Sequence, residues 1–155
     1  MRIENRSLIG ILLFVGAAQY ILLVNIAEAL YPGYSVATNA MSDLGVGQTA
    51  VLFNSSTVVF GTFILIGLLL GRRAIGTGLT ITLAVYGACV VGVGVFPETT
   101  GALHGGIALV ALVLALTHNY MGIGKGGMER MIVYPLFLWV LGFGGALIGS
   151  KQEPT

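Results

Sequence analysis

The segment Thr49–Gly71, TAVLFNSSTVVFGTFILIGLLLG, contains no charged side chain over its 23 residues. A helix of about 20 apolar residues is long enough to cross the roughly 30 Å hydrocarbon core of a bilayer. Its apolar residues run on without the alternation that a strand of a membrane barrel would show. The segment is therefore predicted to be a membrane-spanning helix, and this decides the fold class.

Similar apolar runs recur along the chain, and we expect an all-α, polytopic transmembrane bundle of five spans. The predicted spans are Ser7–Leu30, Thr49–Gly71, Ala74–Phe96, Gly101–Met121 and Met131–Gly149. The first run is longer than the apolar core of a typical signal peptide, so it is predicted to be a span. The five spans take up most of the sequence. We therefore expect a single transmembrane domain over residues 1–155.

The composition excludes several classes of protein. Hydrophobic residues make up 56% of the chain and charged residues only 8%, whereas soluble domains carry roughly 25% charged residues. Disordered chains are poor in apolar residues, so that class is excluded as well. Seven basic residues against six acidic ones form no basic patch for nucleic acid. A single cysteine rules out an intrachain disulfide. Because the chain is so apolar and the other classes are excluded, membrane lipids are the expected partners.

The basic residues predict an orientation in the membrane. Cytoplasmic connections of membrane proteins carry an excess of Lys and Arg. With the N-terminus inside, five spans place six basic residues in the cytoplasm and only Lys151 outside. The six are Arg2, Arg6, Arg72, Arg73, Lys125 and Arg130. The prediction is an N-terminus inside and a C-terminus outside, in the cell membrane of a prokaryote.

Glycines within the spans suggest how the helices pack. Three pairs have the four-residue spacing that lets helix backbones approach closely in lipid. They are Gly67 and Gly71, Gly101 and Gly105, and Gly145 and Gly149. Such pairs serve packing within one chain, or they form the face of a homo-oligomer. The second possibility makes the protein a non-catalytic scaffold or assembly subunit.

Polar residues cluster toward the predicted outer side of the bundle. Polar groups within a membrane are costly and often mark a functional site. The candidates are His104, Asp43 and Ser42 for catalysis, and Asn39, Asn54, Glu28 and Glu98 for ligand binding. We expect the loop after the first span and the tops of the second and fourth spans to enclose a polar pocket.

The residue types leave several kinds of chemistry open at this pocket. Asp43 could orient His104 as a general base, with Ser42 or a water molecule as the nucleophile. A metal ion could be bound by Asp43, His104 and a glutamate, although a single histidine is weak support for a zinc site. In the structural alternative, Ser42-Asp43 caps the second span and His104 bonds a loop carbonyl. His118 follows 14 residues later on the same predicted helix, about 21 Å away, so the two histidines cannot share a metal.

The outer residues also carry a family resemblance. The stretch from Tyr31 to Gly45, YPGYSVATNAMSDLG, resembles a prokaryotic membrane family called DUF998. Phe53-Asn54 with Gly61, and GVFPE ending at Glu98 and followed by His104, are similar to its other motifs. The family is distantly similar to the Frag1/DRAM/Sfk1 group of eukaryotic membrane proteins. The resemblance implies five or six helices and brings no mechanism with it.

These observations predict an integral membrane protein with an outward-facing pocket for a lipid headgroup or a small polar ligand. Hydrolysis through His104 and Asp43 would make it a membrane-embedded lipid hydrolase. The scaffold is the alternative. A transporter would need a polar path across the bilayer, which the third and fifth spans do not offer. The sequence identifies neither a cofactor nor a metal.

Overall fold

The computed structural model of the chain describes residues 2–71, 75–107 and 124–149. These ranges are helical, with turns between the helices and no strand, which confirms the all-α prediction. The α-helices are α1 (Arg2–Leu30), α2 (Ala50–Gly71), α3 (Thr77–Val95), α4 (Ala102–Ile107) and α5 (Gly124–Gly149). Three short 3-10 helices lie in the connections, at Ser42–Gly45, Gly47–Thr49 and Glu98–Thr100.

Three helices in the described ranges are long and apolar enough to cross a membrane. They are Arg6–Leu30, Gly47–Gly71, which includes the 3-10 turn before α2, and Thr77–Val95. A shorter apolar stretch, Val133–Gly149, forms most of α5. Of the predicted fourth span Gly101–Met121, the part after Ile107 lies outside the described residues, as does His118. The apolar character of the chain is thus confirmed, whereas the number of five spans stays a prediction.

The long helices pack side by side in the order α5, α1, α2, α3. Phe60 on α2 is fully buried at the centre, where its ring meets Tyr20 of α1, Tyr86 of α3 and Phe137 of α5. Gln19 adds a polar link within the apolar interior, since its Nε2 donates a hydrogen bond to the Ser56 carbonyl at 3.0 Å. Stacked and edge-to-face contacts of the Phe60 ring therefore connect the four helices at the centre of the bundle.

The direction of α5 contradicts the predicted orientation. Gly10 near the start of α1 lies against the backbone of Gly144 and Ile148, and Glu28 near the end of α1 forms an ion pair with Arg130. The two helices are therefore antiparallel, and Gly149 lies at the same end of the bundle as the start of α1. The prediction that α5 begins at the opposite end of the bundle from Glu28 is therefore wrong. The count of basic residues placed Arg130 on the cytoplasmic side, whereas its ion pair with Glu28 places it near the end of α1.

The loop after α1 and the turn after α3 cover one end of the bundle. We call this end, formed by residues 31–49 and 96–107, the capped end. Met41 and Leu44 of the loop are buried in the core, and Thr49 Oγ1 donates to the Leu44 carbonyl at 2.9 Å. The predicted helix cap at Ser42-Asp43 is wrong, because α2 begins only at Ala50 and these two residues start the short 3-10 helix before it.

Glycines allow the closest helix contacts, although the closest of them lie outside the predicted pairs. A Cβ at Gly61 would lie 2.7 Å from the Gly87 oxygen and from the Val91 nitrogen, so α2 and α3 meet there backbone to backbone. Gly67 has ordinary contacts with Ile9 at 3.6 Å. Gly145 has no described atom within 4 Å of an added Cβ, so it makes no close contact with α1, α2 or α3.

Gly61→Ala should lower the free energy of unfolding by about 1–3 kcal/mol, because the backbones of α2 and α3 must separate to admit a methyl group. Unfolding by denaturing detergent in bicelles measures this change. The matched control is Gly145→Ala, for which we expect a change within about 0.5 kcal/mol. Equal losses in the two variants would contradict the close packing of α2 on α3.

Candidate functional site

Asn39 and Asp43 shape the loop at the capped end. Asp43 Oδ2 accepts hydrogen bonds from Asn39 Nδ2 and from the Ala40 amide, both at 3.0 Å. Asn39 Oδ1 accepts the Ser35 amide at 3.1 Å. Each side chain thus binds the backbone within four residues of itself, which folds the loop locally. Asp43 Oδ1 has no hydrogen-bond partner in the described part of the chain.

Ser42 joins the loop to the turn that follows α3. Its hydroxyl donates to Glu98 Oε2 at 3.2 Å, and both side chains are partly buried. The two residues are 56 positions apart, so this contact depends on α2 and α3 running antiparallel. Two of the predicted site residues are therefore in direct contact. The hydroxyl of Ser42 is directed to a carboxylate rather than to an imidazole.

His104 is held in a defined orientation by the backbone. Its side chain is buried, and Nδ1 lies 2.7 Å from the Phe96 carbonyl oxygen at the end of α3. A carbonyl oxygen only accepts, so Nδ1 carries the proton of this bond. In the neutral ring Nε2 then bears a lone pair and can accept a hydrogen bond or a proton. No described residue forms a hydrogen bond to Nε2.

Asn54 fastens the loop to α2. Its Nδ2 donates to the Gly45 carbonyl at 3.0 Å, and its Oδ1 is buried without a hydrogen-bond partner among the described residues. A Cβ at Gly45 would lie 2.7 Å from that Oδ1, so the amide is packed directly on the glycine. Asn54 was predicted to bind a ligand. The structure places its amide against the loop backbone.

Glu28 forms an ion pair that the sequence analysis missed. Arg130 Nη2 contacts Glu28 Oε1 and also donates to the Tyr34 hydroxyl at 2.7 Å, and Nη1 lies 3.5 Å from the Val36 oxygen. Both charged side chains are largely buried, at 8% exposure for Arg130 and 15% for Glu28. A single acidic residue within the first span was the available signal, since a buried charge needs a partner.

The predicted catalytic residues share the capped end without forming a relay. Within the described ranges no hydrogen bond joins His104 to Asp43 or to Ser42. The bond from His104 to a backbone carbonyl is the one expected in the structural alternative. No group of three His, Cys, Asp or Glu residues that could hold a metal ion occurs in the part of the chain the structure describes.

Comparison with known proteins identifies a family and no activity. The sequence model of the family described as "Protein of unknown function (DUF998)" matches residues 14–121. The match covers more than half of the chain, includes the capped end and stops before Arg130. No curated protein and no solved structure matches the chain at a significant level. The similarity to the Frag1/DRAM/Sfk1 group stays a prediction.

Proposed function

Because this chain belongs to the DUF998 family, whose description assigns no activity, we propose a function from the geometry alone. The protein is a multi-pass protein of the cell membrane, and its capped end binds a lipid headgroup or a small polar ligand. One observation carries the proposal: the Phe96 carbonyl holds Nδ1 of buried His104, and Nε2 has no hydrogen-bond partner among the described residues.

The helix directions support a revised orientation in the membrane. The start of α1, the end of α2 and the end of α5 lie at the end opposite the capped end. Five basic residues lie in or next to these helix ends in the sequence: Arg2, Arg6, Arg72, Arg73 and Lys151. By the excess of basic residues in cytoplasmic connections, the opposite end is cytoplasmic and the capped end faces outward. The start of α1 and the end of α5 are then both cytoplasmic, which requires an even number of membrane crossings in place of the predicted five.

The chemistry of the capped end favours a ligand that donates hydrogen bonds. Asp43 and Nε2 of His104 offer acceptor atoms that have no partner among the described residues, and the guanidinium of Arg130 is paired with Glu28. An ammonium or hydroxyl group suits such acceptors, whereas an anionic headgroup would be repelled by the carboxylate of Asp43. The favoured headgroup is therefore of the ethanolamine or sugar type.

Hydrolysis is a further step on the same site. The Nε2 lone pair could take a proton from a water molecule, whose oxygen would attack the acyl carbon of an ester bond in the bound lipid. The imidazolium would then give that proton to the leaving alcohol as the ester C–O bond breaks. Nδ1 would keep its proton, which stays hydrogen-bonded to the Phe96 carbonyl oxygen during this transfer. Ser42 is less suited as the nucleophile, since its hydroxyl donates to Glu98.

The alternative function, a scaffold, has one observation in its favour. Gly142, Gly145 and Gly149 on α5 have no described atom within 4 Å of an added Cβ. A second copy or another membrane protein could pack there. A stable oligomer in detergent that Gly145→Leu dissociates, together with no lipid bound at the capped end, would favour this function.

His104→Asn should weaken lipid binding and leave the fold intact. The asparagine amide reaches about as far as Nδ1, so it retains the bond to Phe96, but it offers no group at the position of Nε2. We expect the affinity for phosphatidylethanolamine to fall about tenfold or more, as for the loss of one hydrogen bond. Native mass spectrometry of the purified protein with defined lipids measures this affinity.

Three comparisons make that experiment decisive. Phosphatidylglycerol tests the preference for a donor headgroup, and free phosphoethanolamine tests whether the lipid tails are needed. Thr99→Ala, on the exposed turn between α3 and α4, is the control and should bind lipid as the unmodified chain does. Unchanged affinity in His104→Asn, with an unchanged unfolding midpoint, would contradict the proposal and leave His104 a structural role.

A further inference from the structure

One guanidinium connects three parts of the chain that are far apart in sequence. Arg130 near the start of α5 contacts Glu28 near the end of α1, the Tyr34 hydroxyl and the Val36 carbonyl. The Arg130 guanidinium carbon also lies 5.6 Å from the centre of the Tyr34 ring, within the range of a cation–π contact. The loop is thus held to two helices by a single side chain.

The two halves of the loop are anchored differently. Residues 40–49 are fixed by the core, since Ala40, Met41 and Leu44 are buried. Residues 31–39 include five exposed residues: Pro32, Gly33, Val36, Ala37 and Thr38. Their hydrogen bonds are mostly internal, such as those from the Thr38 and Asn39 amides to the Ser35 carbonyl. The contacts from Arg130 therefore act on the more exposed half of the loop, in which Tyr31 and Tyr34 are only partly buried against the core.

Hydrogen bonds continue from Arg130 to the candidate binding residues. The Tyr34 hydroxyl accepts from Arg130 and donates to the Ala40 carbonyl at 3.0 Å. The Ala40 amide and Asn39 both donate to Asp43. An uninterrupted series of contacts thus connects α5 to the carboxylate of Asp43.

We infer that Arg130, paired with Glu28, is a positioning residue that holds residues 31–39 over the end of α1 and so orients Asn39 and Asp43. Its role in ligand binding rests on the proposed function, whereas its role in ordering the loop does not. Arg suits this task because its planar guanidinium donates in several directions at once, and lysine has a single ammonium nitrogen.

Two conservative variants test this inference without removing the charge. Tyr34→Phe deletes the hydroxyl that joins Arg130 to Ala40, and Arg130→Lys keeps a positive charge beside Glu28. In both we expect amide hydrogen exchange over residues 31–41 to become about tenfold faster, the loss expected for one hydrogen bond to a charged group. Exchange in α2 should not change. Arg6→Lys, at the other end of α1, is the control.

Lipid binding provides the second measurement. The affinity for phosphatidylethanolamine should fall in Tyr34→Phe and Arg130→Lys while their unfolding midpoints stay close to that of the unmodified chain. Faster loop exchange with no lipid bound by any form of the protein would uphold the ordering role and contradict the proposed function. Unchanged exchange over residues 31–41 in both variants would overturn the inference.

Discussion

Phe60→Ala should lower the free energy of unfolding by about 3 kcal/mol. Phe60 is fully buried, and its ring centre lies 5.4 Å from that of Tyr20 and 5.6 Å from that of Phe137. Removing the ring leaves a cavity where α1, α2, α3 and α5 meet. This value is at the lower end of the range for Phe→Ala in a protein core. When the protein folds in a membrane, the side chain moves into the core from lipid rather than from water, so the variant loses mainly packing contacts.

The matched control for Phe60→Ala is Phe14→Ala on α1, whose side chain is 43% exposed. Its ring faces outward, so we expect a loss of about 1 kcal/mol or less. Both variants can be unfolded by denaturing detergent in bicelles and followed by circular dichroism. If the two variants lose equal stability, the bundle is not centred on Phe60.

The helices could be predicted because the bilayer leaves a chain few options. Backbone amides in lipid must bond within their own helix, so an apolar run such as Thr49–Gly71 predicts α2 to within one residue. Hydropathy does not mark a helix that continues into polar sequence. α1 accordingly begins at Arg2 rather than Ser7, and α5 at Gly124 rather than Met131.

The direction of α5 could not be predicted from charge counts. The rule for basic residues treats every Arg and Lys alike, whereas Arg130 lies in an ion pair with Glu28. The direction follows instead from the fit of Gly10 against Gly144, where the helix backbones touch. Neither glycine belongs to one of the predicted pairs with four-residue spacing, so no glycine pattern in the sequence indicated this contact.

The location of four polar residues at one end of the bundle could be predicted, but most of their contacts could not. Polar residues near helix ends pointed to Ser42, Asp43, Glu98 and His104, and the structure gathers all four at the capped end. The acceptor for His104 is the carbonyl of Phe96. Every residue has a carbonyl, so a sequence cannot single out the one that is used. That bond decides which nitrogen of His104 is basic.

Glu28→Gln should be the most damaging single polar substitution in the bundle. It leaves the guanidinium of Arg130 largely buried without its carboxylate, and arginine cannot become neutral by losing a proton. Removal of one partner from a buried ion pair costs about 3–5 kcal/mol. We expect a loss near the lower value, since Tyr34 and Val36 still accept hydrogen bonds from Arg130.

Comparison with the reciprocal variant separates the charge from the contacts. Arg130→Gln leaves Glu28, which can become neutral by binding a proton, so its loss of stability should be smaller than that of Glu28→Gln. The double variant with both residues changed to Gln removes both charges and should be more stable than Glu28→Gln alone. A double variant less stable than either single variant would contradict this account, because the cost would then come from lost contacts rather than from an unpaired charge.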